Sequence, residues 1–163
     1  MSEGRDQKSE DAKARAAALR LLARRARTRA DLMYRLRRKG FSSAAIEATL
    51  DELARAGYVD DLEYARERMD DLLRRSRYGS LGLVSRLVKN GIEPELAETA
   101  VAERLREVDE REWARQLATE RLAELPELDA DTTRRRLFSY LSRRGFTHED
   151  IIVALEEVLH AEP

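Results

Sequence analysis

The chain has 163 residues, of which 39% are charged, yet its formal net charge is only −1. Any contact with nucleic acid must therefore come from local patches, since no bulk charge attracts phosphates. The absence of cysteine excludes disulfides, Cys-based zinc sites and thiol catalysis. No apolar run is long enough to cross a membrane and no signal-peptide pattern is found, so we expect a cytoplasmic protein without a membrane partner.

The beginning of the chain changes in character at Ala12. Residues 1–11 are polar and charged without periodicity, and we expect them to form a disordered tail. From Ala12 onward alanine, leucine and arginine predominate, and all three favour helix. Between Lys13 and Lys39 there are eleven Lys or Arg residues and one acid, Asp31. This segment is therefore predicted to be helical and strongly basic.

Three glycines, Gly40, Gly91 and Gly145, occupy the same place in a repeated apolar frame, at spacings of 51 and 54 residues. Apolar residues four apart share one face of a helix, so each copy predicts two amphipathic helices joined at the glycine. The residues of the frame are Leu32, Leu36, Phe41, Ile46 and Leu50, then Leu83, Leu87, Ile92, Ala97 and Val101, then Leu137, Leu141, Phe146, Ile151 and Leu155.

The glycines are predicted to close a helix with positive φ, with the next residue buried between helices. Two positions later, Ser42, Glu93 and Thr147 stand where the N-cap of the following helix is expected. No segment alternates with period two over a useful length, so we expect no sheet. The predicted fold class is all-α, with three tandem three-helix repeats stacked into an elongated curved array. We place the repeats at residues 12–58, 59–107 and 108–163.

Motifs for catalysis are not found. The two histidines, His148 and His160, lie twelve residues apart at the ends of one predicted helix, which is not a metal-ligand spacing. The sequence has no nucleophile elbow, phosphate loop or dinucleotide fingerprint. Gly79-Ser80-Leu81-Gly82 matches the bare GXXG of a KH domain, but its helical flanks favour the start of a helix. We therefore expect no enzyme, no metal and no cofactor.

Arginine-rich segments are the strongest functional signal. Guanidinium groups bind phosphates and carboxylates bidentately, so these segments predict contact with phosphates or with an acidic protein groove. A solvated basic face is the alternative, but the charges are segregated, since Glu93 to Glu112 contains eight acids and three arginines. The candidate binding residues are Arg24, Arg25, Arg27, Arg29, Arg35, Arg37, Arg38, Lys39, Arg74, Arg75 and Arg77.

Several of these segments resemble the RecX family of recombination regulators over about residues 15–160. The resemblance rests on Ala18-Leu19-Arg20-x-Leu22, Thr28-x-x-Asp31-Leu32, Arg38-Lys39-Gly40-Phe41, Tyr58-Val59-Asp60-Asp61-x-x-Tyr64-Ala65, Arg75-x-Arg77-x-Gly79 and Gly91-Ile92. The stretch around Asp60-Asp61 is the most specific part. The family pattern predicts a proline-containing step after Gly79. This chain departs from it, because Ser80-Leu81 stands there instead.

The resemblance implies a bacterial regulator of the RecA recombinase, active in DNA repair, recombination and the SOS response. Such a protein binds the RecA nucleoprotein filament and inhibits its ATP hydrolysis, strand exchange and co-protease activity, and some members also contact single- or double-stranded DNA. The basic residues named above would then bind the filament or DNA, and we expect a monomer. A direct DNA-binding protein with a helix-turn-helix in each repeat stays open as the alternative, as does a plain scaffold.

Overall fold

The computed structural model describes residues 3–160, with side chains from residue 7 onward, and every regular element in this range is a helix. The helices are α1 (Glu3–Leu22), α2 (Arg29–Arg38), α3 (Ser43–Arg55), α4 (Asp61–Arg75), α5 (Ser80–Lys89), α6 (Pro94–Arg104), α7 (Glu110–Glu124), α8 (Ala130–Arg144) and α9 (His148–His160). The all-α prediction is therefore confirmed for the described range.

The helices pack in three consecutive triplets, repeat 1 (α1–α3), repeat 2 (α4–α6) and repeat 3 (α7–α9), and each triplet has its own hydrophobic core. The residues of the repeated frame form these cores. Leu32, Leu83 and Leu137 are 0% exposed. Among the frame residues only Phe41 is not fully buried, and it packs against the edge of the first core. The predicted three-helix repeats are confirmed.

The glycine turns have the predicted geometry. Gly40, Gly91 and Gly145 have φ of 86°, 89° and 80°, a region that a residue with a Cβ enters only with strain. The residues after the second and third glycines, Ile92 and Phe146, are 2% and 3% exposed. Each turn therefore lets the chain reverse tightly. The next side chain enters the core after the second and third glycines, whereas Phe41 after the first packs at the edge of its core.

The predicted N-caps of the third helices are of two kinds. Ser42 Oγ accepts a hydrogen bond from the N–H three residues later at 3.3 Å, and Thr147 Oγ1 does so at 3.1 Å. Glu93 makes no such bond; instead, Pro94 occupies the first helical position, where its missing N–H costs nothing.

The N-terminal segment differs from the prediction of a disordered tail over residues 1–11. Helix α1 begins at Glu3, so residues 3–11 are helical, while residues 1 and 2 lie outside the described range. The carboxylate of Glu10 accepts hydrogen bonds from the N–H and Oγ of Ser42, both at 2.8 Å. This contact ties the polar part of α1 to the start of α3, and composition alone did not reveal it.

One ion pair recurs in all three repeats and joins the first helix to the third. The pairs are Arg15–Glu52 at 2.7 Å, Arg66–Glu103 at 3.5 Å and Arg115–Glu157 at 4.0 Å. All six side chains are substantially exposed, so each pair contributes only a few tenths of a kcal/mol. These pairs identify equivalent positions, because they align the first helices of the three repeats residue by residue.

The repeats join at equivalent positions. At the first junction Thr28, the N-cap of α2, donates its hydroxyl to the carbonyl of Asn90 at the end of α5 (3.3 Å). The N–H of Arg29, the first residue of α2, donates to Oδ1 of Asp61 in α4 (2.9 Å). A carboxylate of repeat 2 thus satisfies an N–H that the start of an α-helix leaves without a partner inside that helix.

The second junction repeats this arrangement with backbone groups. Gly79, the N-cap of α5, donates its N–H to the carbonyl of Arg144 (3.1 Å), and Gly82 donates to Gly145 (3.3 Å). The N–H of Ser80 donates to Oε2 of Glu110 in α7 at 2.7 Å. The glycines of the KH-like segment therefore begin a helix, as predicted, and also let the end of α8 approach closely.

These junctions place the second helices of the repeats, α2, α5 and α8, end to end. Every hydrogen bond between repeats that the described residues make joins neighbouring repeats. The accessible surface is 10670 Å², whereas a compact protein of 18.8 kDa exposes about 8300 Å². The excess is what a linear array produces.

Candidate functional site

The predicted basic residues fall into two groups in the structure. Six are exposed and form no ion pair with a carboxylate within the described part of the chain: Arg24, Arg25, Arg37, Arg38, Lys39 and Arg75. Arg24 and Arg25 follow α1, while Arg37, Arg38 and Lys39 end α2, roughly 15 Å away along that helix. The structure therefore does not gather the predicted residues into one compact patch.

Arg27, Arg29 and Arg35 are instead used inside repeat 1. Arg27 is buried, donates Nε to the Leu21 carbonyl (3.2 Å) and pairs with Asp31 at 2.6 Å. Arg35 binds the same carboxylate at 2.9 Å. Burial alone raises the pKa of Asp31, but the hydrogen bonds from Arg35 and Arg27 outweigh it and hold that pKa below its usual value. These arginines stabilise the fold and are poorly placed to bind a partner.

Arg29 is held in the same way on the other face of α2. Its Nη2 lies 2.7 Å from Glu47 and 2.8 Å from Asp51, both on α3. Burial opposes the charged form, yet the hydrogen bonds to Asp51 and Glu47 raise the pKa of Arg29 above its usual value. Arg29 therefore ties α2 to α3.

The arginines that end α4 are partly neutralised. Arg74 pairs with Asp71, and Arg77 pairs with Glu120 of repeat 3 at 3.1 Å. Together with Arg75 they line a cavity of about 450 Å³ at the second junction, and Trp113 forms another part of its wall. Of the three predicted residues here, only Arg75 is exposed without a carboxylate partner in the described chain.

The repeat frame reveals cations that the predicted set omits. Arg38 lies two residues before its turn glycine, and Lys89 and Arg143 occupy the same position in repeats 2 and 3. All three are exposed. Lys89 and Arg143 line one cavity of about 440 Å³, and Lys89 shares another of about 230 Å³ with Arg25. We call Arg38, Lys89 and Arg143, one exposed cation from each repeat, the cationic row.

The row follows from the fold. Because α2, α5 and α8 lie end to end, the last turn of each presents a cation once per repeat. A cation in the last turn also interacts favourably with the helix dipole, by about 0.3–1 kcal/mol. Alignment of the glycines in the sequence could have found Lys89 and Arg143, which a local count of basic residues does not single out.

The third helices have the opposite character. Exposed acids recur along α3, α6 and α9, among them Glu47, Asp51, Glu98, Glu149 and Glu156. The recognition helix of a helix-turn-helix protein lies in the major groove between two rows of phosphates. Acids such as Glu98 of α6 and Glu156 of α9, which form no ion pair among the described residues, would be repelled there, so the geometry disfavours base reading by these two helices. Glu47 and Asp51 of α3 are already paired with Arg29.

The described residues meet the requirements of neither a metal site nor a membrane span. Within residues 7–160 no group of three or more His, Asp or Glu side chains is arranged to hold a metal ion. His148 is exposed in the first turn of α9 and stacks edge-on against Phe138, with ring centroids 5.3 Å apart. None of the described helices is both long and apolar enough to cross a membrane.

Comparison with known proteins gives the family. The family described as "RecX, first three-helix domain" matches residues 14–53. The "Regulatory protein RecX" of Amycolatopsis mediterranei (strain U-32) is 38% identical over 144 residues, covering 85% of this chain and 79% of that protein. The protein of the same name from Pelodictyon phaeoclathratiforme (strain DSM 5477 / BU-1) is 35% identical over 138 residues, covering 85% and 84%.

A solved structure has the same fold. The crystal structure of RecX from Lactobacillus salivarius superposes with a TM-score of 0.78 at 21% sequence identity, covering 93% of this chain and 97% of that one. At this identity the likeness shows the fold alone. The family relationship rests on the two regulatory proteins that are 38% and 35% identical to this chain. The chain belongs to the RecX family of regulatory proteins.

Proposed function

We propose that this protein regulates the RecA recombinase by binding the RecA–DNA filament and inhibiting its ATP hydrolysis, strand exchange and co-protease activity. The observation that carries the proposal is the cationic row. Arg38, Lys89 and Arg143 are exposed at equivalent positions of three repeats that stand in line. A partner with acidic groups at regular intervals would meet one cation per repeat, and a filament of identical subunits is such a partner.

The contact gains from multiplicity. Each exposed ion pair is worth only about 0.2–1 kcal/mol. Binding by one repeat, however, makes binding by the next intramolecular, so the combined affinity far exceeds that of any single repeat. A chain that bridges neighbouring RecA subunits would resist the subunit movements that accompany ATP turnover. The same bridging at a filament end would stop growth, and both routes lead to inhibition.

Direct binding to DNA is the second candidate, and the same cations favour it because phosphates also recur at regular intervals. In that case contact is to the backbone and not to base edges, since the third helices are acidic. Such binding would show a steep dependence on salt and little preference between sequences.

Co-sedimentation separates the two candidates. The protein is mixed with RecA filaments assembled on single-stranded DNA with ATP, and in parallel with the same DNA alone. We expect retention on the filament and slower ATP hydrolysis at concentrations where free DNA retains little. Equal retention on naked DNA, with no effect on ATP hydrolysis that exceeds competition for DNA, would favour the second candidate.

A further inference from the structure

An open apolar groove lies between α5 and α6 of repeat 2. It encloses about 550 Å³, and Leu81, Val84, Val101 and Leu105 form its walls. Leu81 is 59% exposed, whereas Val101 and Leu105 are almost fully buried at the base. A leucine that is so largely exposed, and that lies beside other apolar side chains, marks a surface that fits an apolar group of a partner.

The positions that line this groove can be compared with the equivalent positions of repeat 1, where an arginine of the chain itself lies between the two helices. The glycine frame aligns Arg29 with Ser80, Glu47 with Glu98, and Asp51 with Ala102. In repeat 1 the guanidinium of Arg29 crosses from α2 to α3 and binds both acids, at 2.7 Å and 2.8 Å. In repeat 1 an arginine of the chain itself therefore bridges the two helices at the positions that line the groove of repeat 2.

Repeat 2 keeps one acid of this arrangement and lacks the arginine. Ser80 is too short to cross the groove, and Ala102 has no charge. Glu98 stays at the edge of the groove, and among the described residues it forms no ion pair. Glu110 stands at the same edge, where it accepts the N–H of Ser80 at 2.7 Å. The groove thus has the carboxylates and the apolar wall that surround an arginine side chain, without the arginine.

We propose that this groove receives an arginine from a partner protein, together with an apolar side chain that packs on Leu81. Arginine fits the site better than lysine because its planar guanidinium binds carboxylates bidentately, while its aliphatic stem covers apolar surface. The surrounding segment from Glu93 to Glu112, with eight acids and three arginines, attracts such a group and disfavours an acidic one.

The partner that carries this arginine is a RecA subunit of the filament, a step that rests on the proposed function. The protein then contacts the filament through two surfaces of opposite charge. The cationic row meets acidic groups, and the groove of repeat 2 takes an arginine with its apolar neighbour. Two surfaces of opposite sign fix the orientation of the array on the filament, because the reversed placement brings like charges together.

Filling the groove from within tests the proposal. The double variant Ser80→Arg/Ala102→Asp rebuilds the arrangement of repeat 1 inside repeat 2, and it adds no net charge. The matched control is Ala44→Arg/Ala48→Asp, which places the same pair on exposed positions of α3. A second variant, Leu81→Ser, removes the exposed apolar wall and leaves the charges unchanged. Circular dichroism checks that each variant retains its helicity.

The measurement is affinity for RecA filaments on single-stranded DNA at two salt concentrations. We expect the filled groove and Leu81→Ser each to weaken binding about tenfold, while the control binds as the original protein does. The salt slope should stay unchanged for Leu81→Ser and become shallower for the filled groove, because filling it removes an ion pair to the partner. If the original protein binds and both groove variants bind equally well, the inference is wrong and the proposed function stands. If the original protein does not bind filaments, both are wrong.

A second copy of this chain is the competing occupant, since its own basic segments could supply the arginine. Sedimentation velocity of the original protein decides this point. A dimer that the filled groove abolishes would assign the groove to self-association and overturn the proposal. A monomer at all concentrations used for filament binding supports it.

Discussion

The two junctions between repeats use the same positions and different chemistry. At the first, a threonine hydroxyl reaches the Asn90 carbonyl, so side chains keep the backbones of α2 and α5 apart. At the second, glycines bring the backbones of α5 and α8 into direct contact. A Cβ on Gly145 would overlap the N and Cα of Gly82, whereas one on Gly91 would lie 2.9 Å from Thr28 Oγ1.

This difference shows which features of the repeat are general. The N–H of the first residue of the second helix is bound by a carboxylate of the next repeat in both cases, from Asp61 and from Glu110. The equivalent acid of repeat 1, Glu10, binds Ser42 of its own repeat instead. The carboxylate contact is thus the common element, and the closeness of the backbones is adjustable.

Gly145→Ala is expected to have the largest effect. Positive φ costs an alanine about 1–2 kcal/mol, and separation of the two backbones costs about as much again, so we expect a loss of about 3 kcal/mol. Urea unfolding measures this loss. A loss of less than about 1 kcal/mol would show that the second junction can open freely, and the contrast between the junctions would disappear.

Gly91→Ala should have an intermediate effect, and Gly40→Ala is its matched control. Both glycines have positive φ, but no atom of the described residues lies within 4 Å of a Cβ built on Gly40. The control therefore reports only the backbone strain of about 1–2 kcal/mol. We expect Gly91→Ala to cost about 1 kcal/mol more, because the methyl group displaces Thr28. Equal unfolding midpoints for Gly91→Ala and Gly40→Ala would mean that the contact of Gly91 with Thr28 adds nothing to stability at the first junction.

Asp61→Asn should have the smallest effect, and its sign depends on pH. Burial raises the pKa of Asp61, although the hydrogen bond from the Arg29 N–H opposes the rise. The folded state therefore takes up a proton before the unfolded chain does, so this group favours folding below its ordinary pKa and loses that advantage as the pH rises through the raised value. Asparagine keeps an oxygen acceptor for Arg29 without the buried charge.

At pH 7 we therefore expect Asp61→Asn to be neutral or stabilising by less than about 1 kcal/mol, with the gain lost on acidification. Urea unfolding at pH 7 and near pH 3 gives the comparison. A variant that is destabilised at pH 7 and recovers in acid would reverse the sign and refute this account of the carboxylate.

The repeats could be predicted from the sequence because they rest on local signals. Glycine at a helix end and leucines four residues apart act within one helical turn, and Ser42 and Thr147 cap the helices that the sequence predicts. The fate of the arginines could not be predicted in this way. Arg29 binds Glu47 and Asp51, eighteen and twenty-two residues away, and only the packing of α2 on α3 brings them together.

The candidate site was therefore predicted in part. A count of basic residues found the exposed cations of repeat 1, but it also included Arg27 and Arg35, which share the carboxylate of Asp31 within the repeat. It omitted Lys89 and Arg143, since each contributes through its place in the repeat and not through local charge density. Which charges lie side by side on the surface is decided by how the repeats pack. Residues far apart in the sequence can become neighbours in this way, so a local count of charges does not find them.

Filament affinity of a repeat-matched variant tests most directly whether the cationic row binds the filament. The triple variant Arg38→Ala/Lys89→Ala/Arg143→Ala removes one exposed cation per repeat. The control, Arg20→Ala/Arg55→Ala/Arg106→Ala, removes three exposed cations that lie elsewhere. Affinity for RecA filaments on single-stranded DNA is measured between low and physiological salt, with helicity checked by circular dichroism.

We expect the triple variant to bind about tenfold more weakly at low salt and with a shallower salt dependence, while the control changes little. Inhibition of filament ATP hydrolysis should weaken in proportion. Equal losses in variant and control would mean that total charge, and not the row, governs binding. Unchanged binding by the folded triple variant would contradict the account directly.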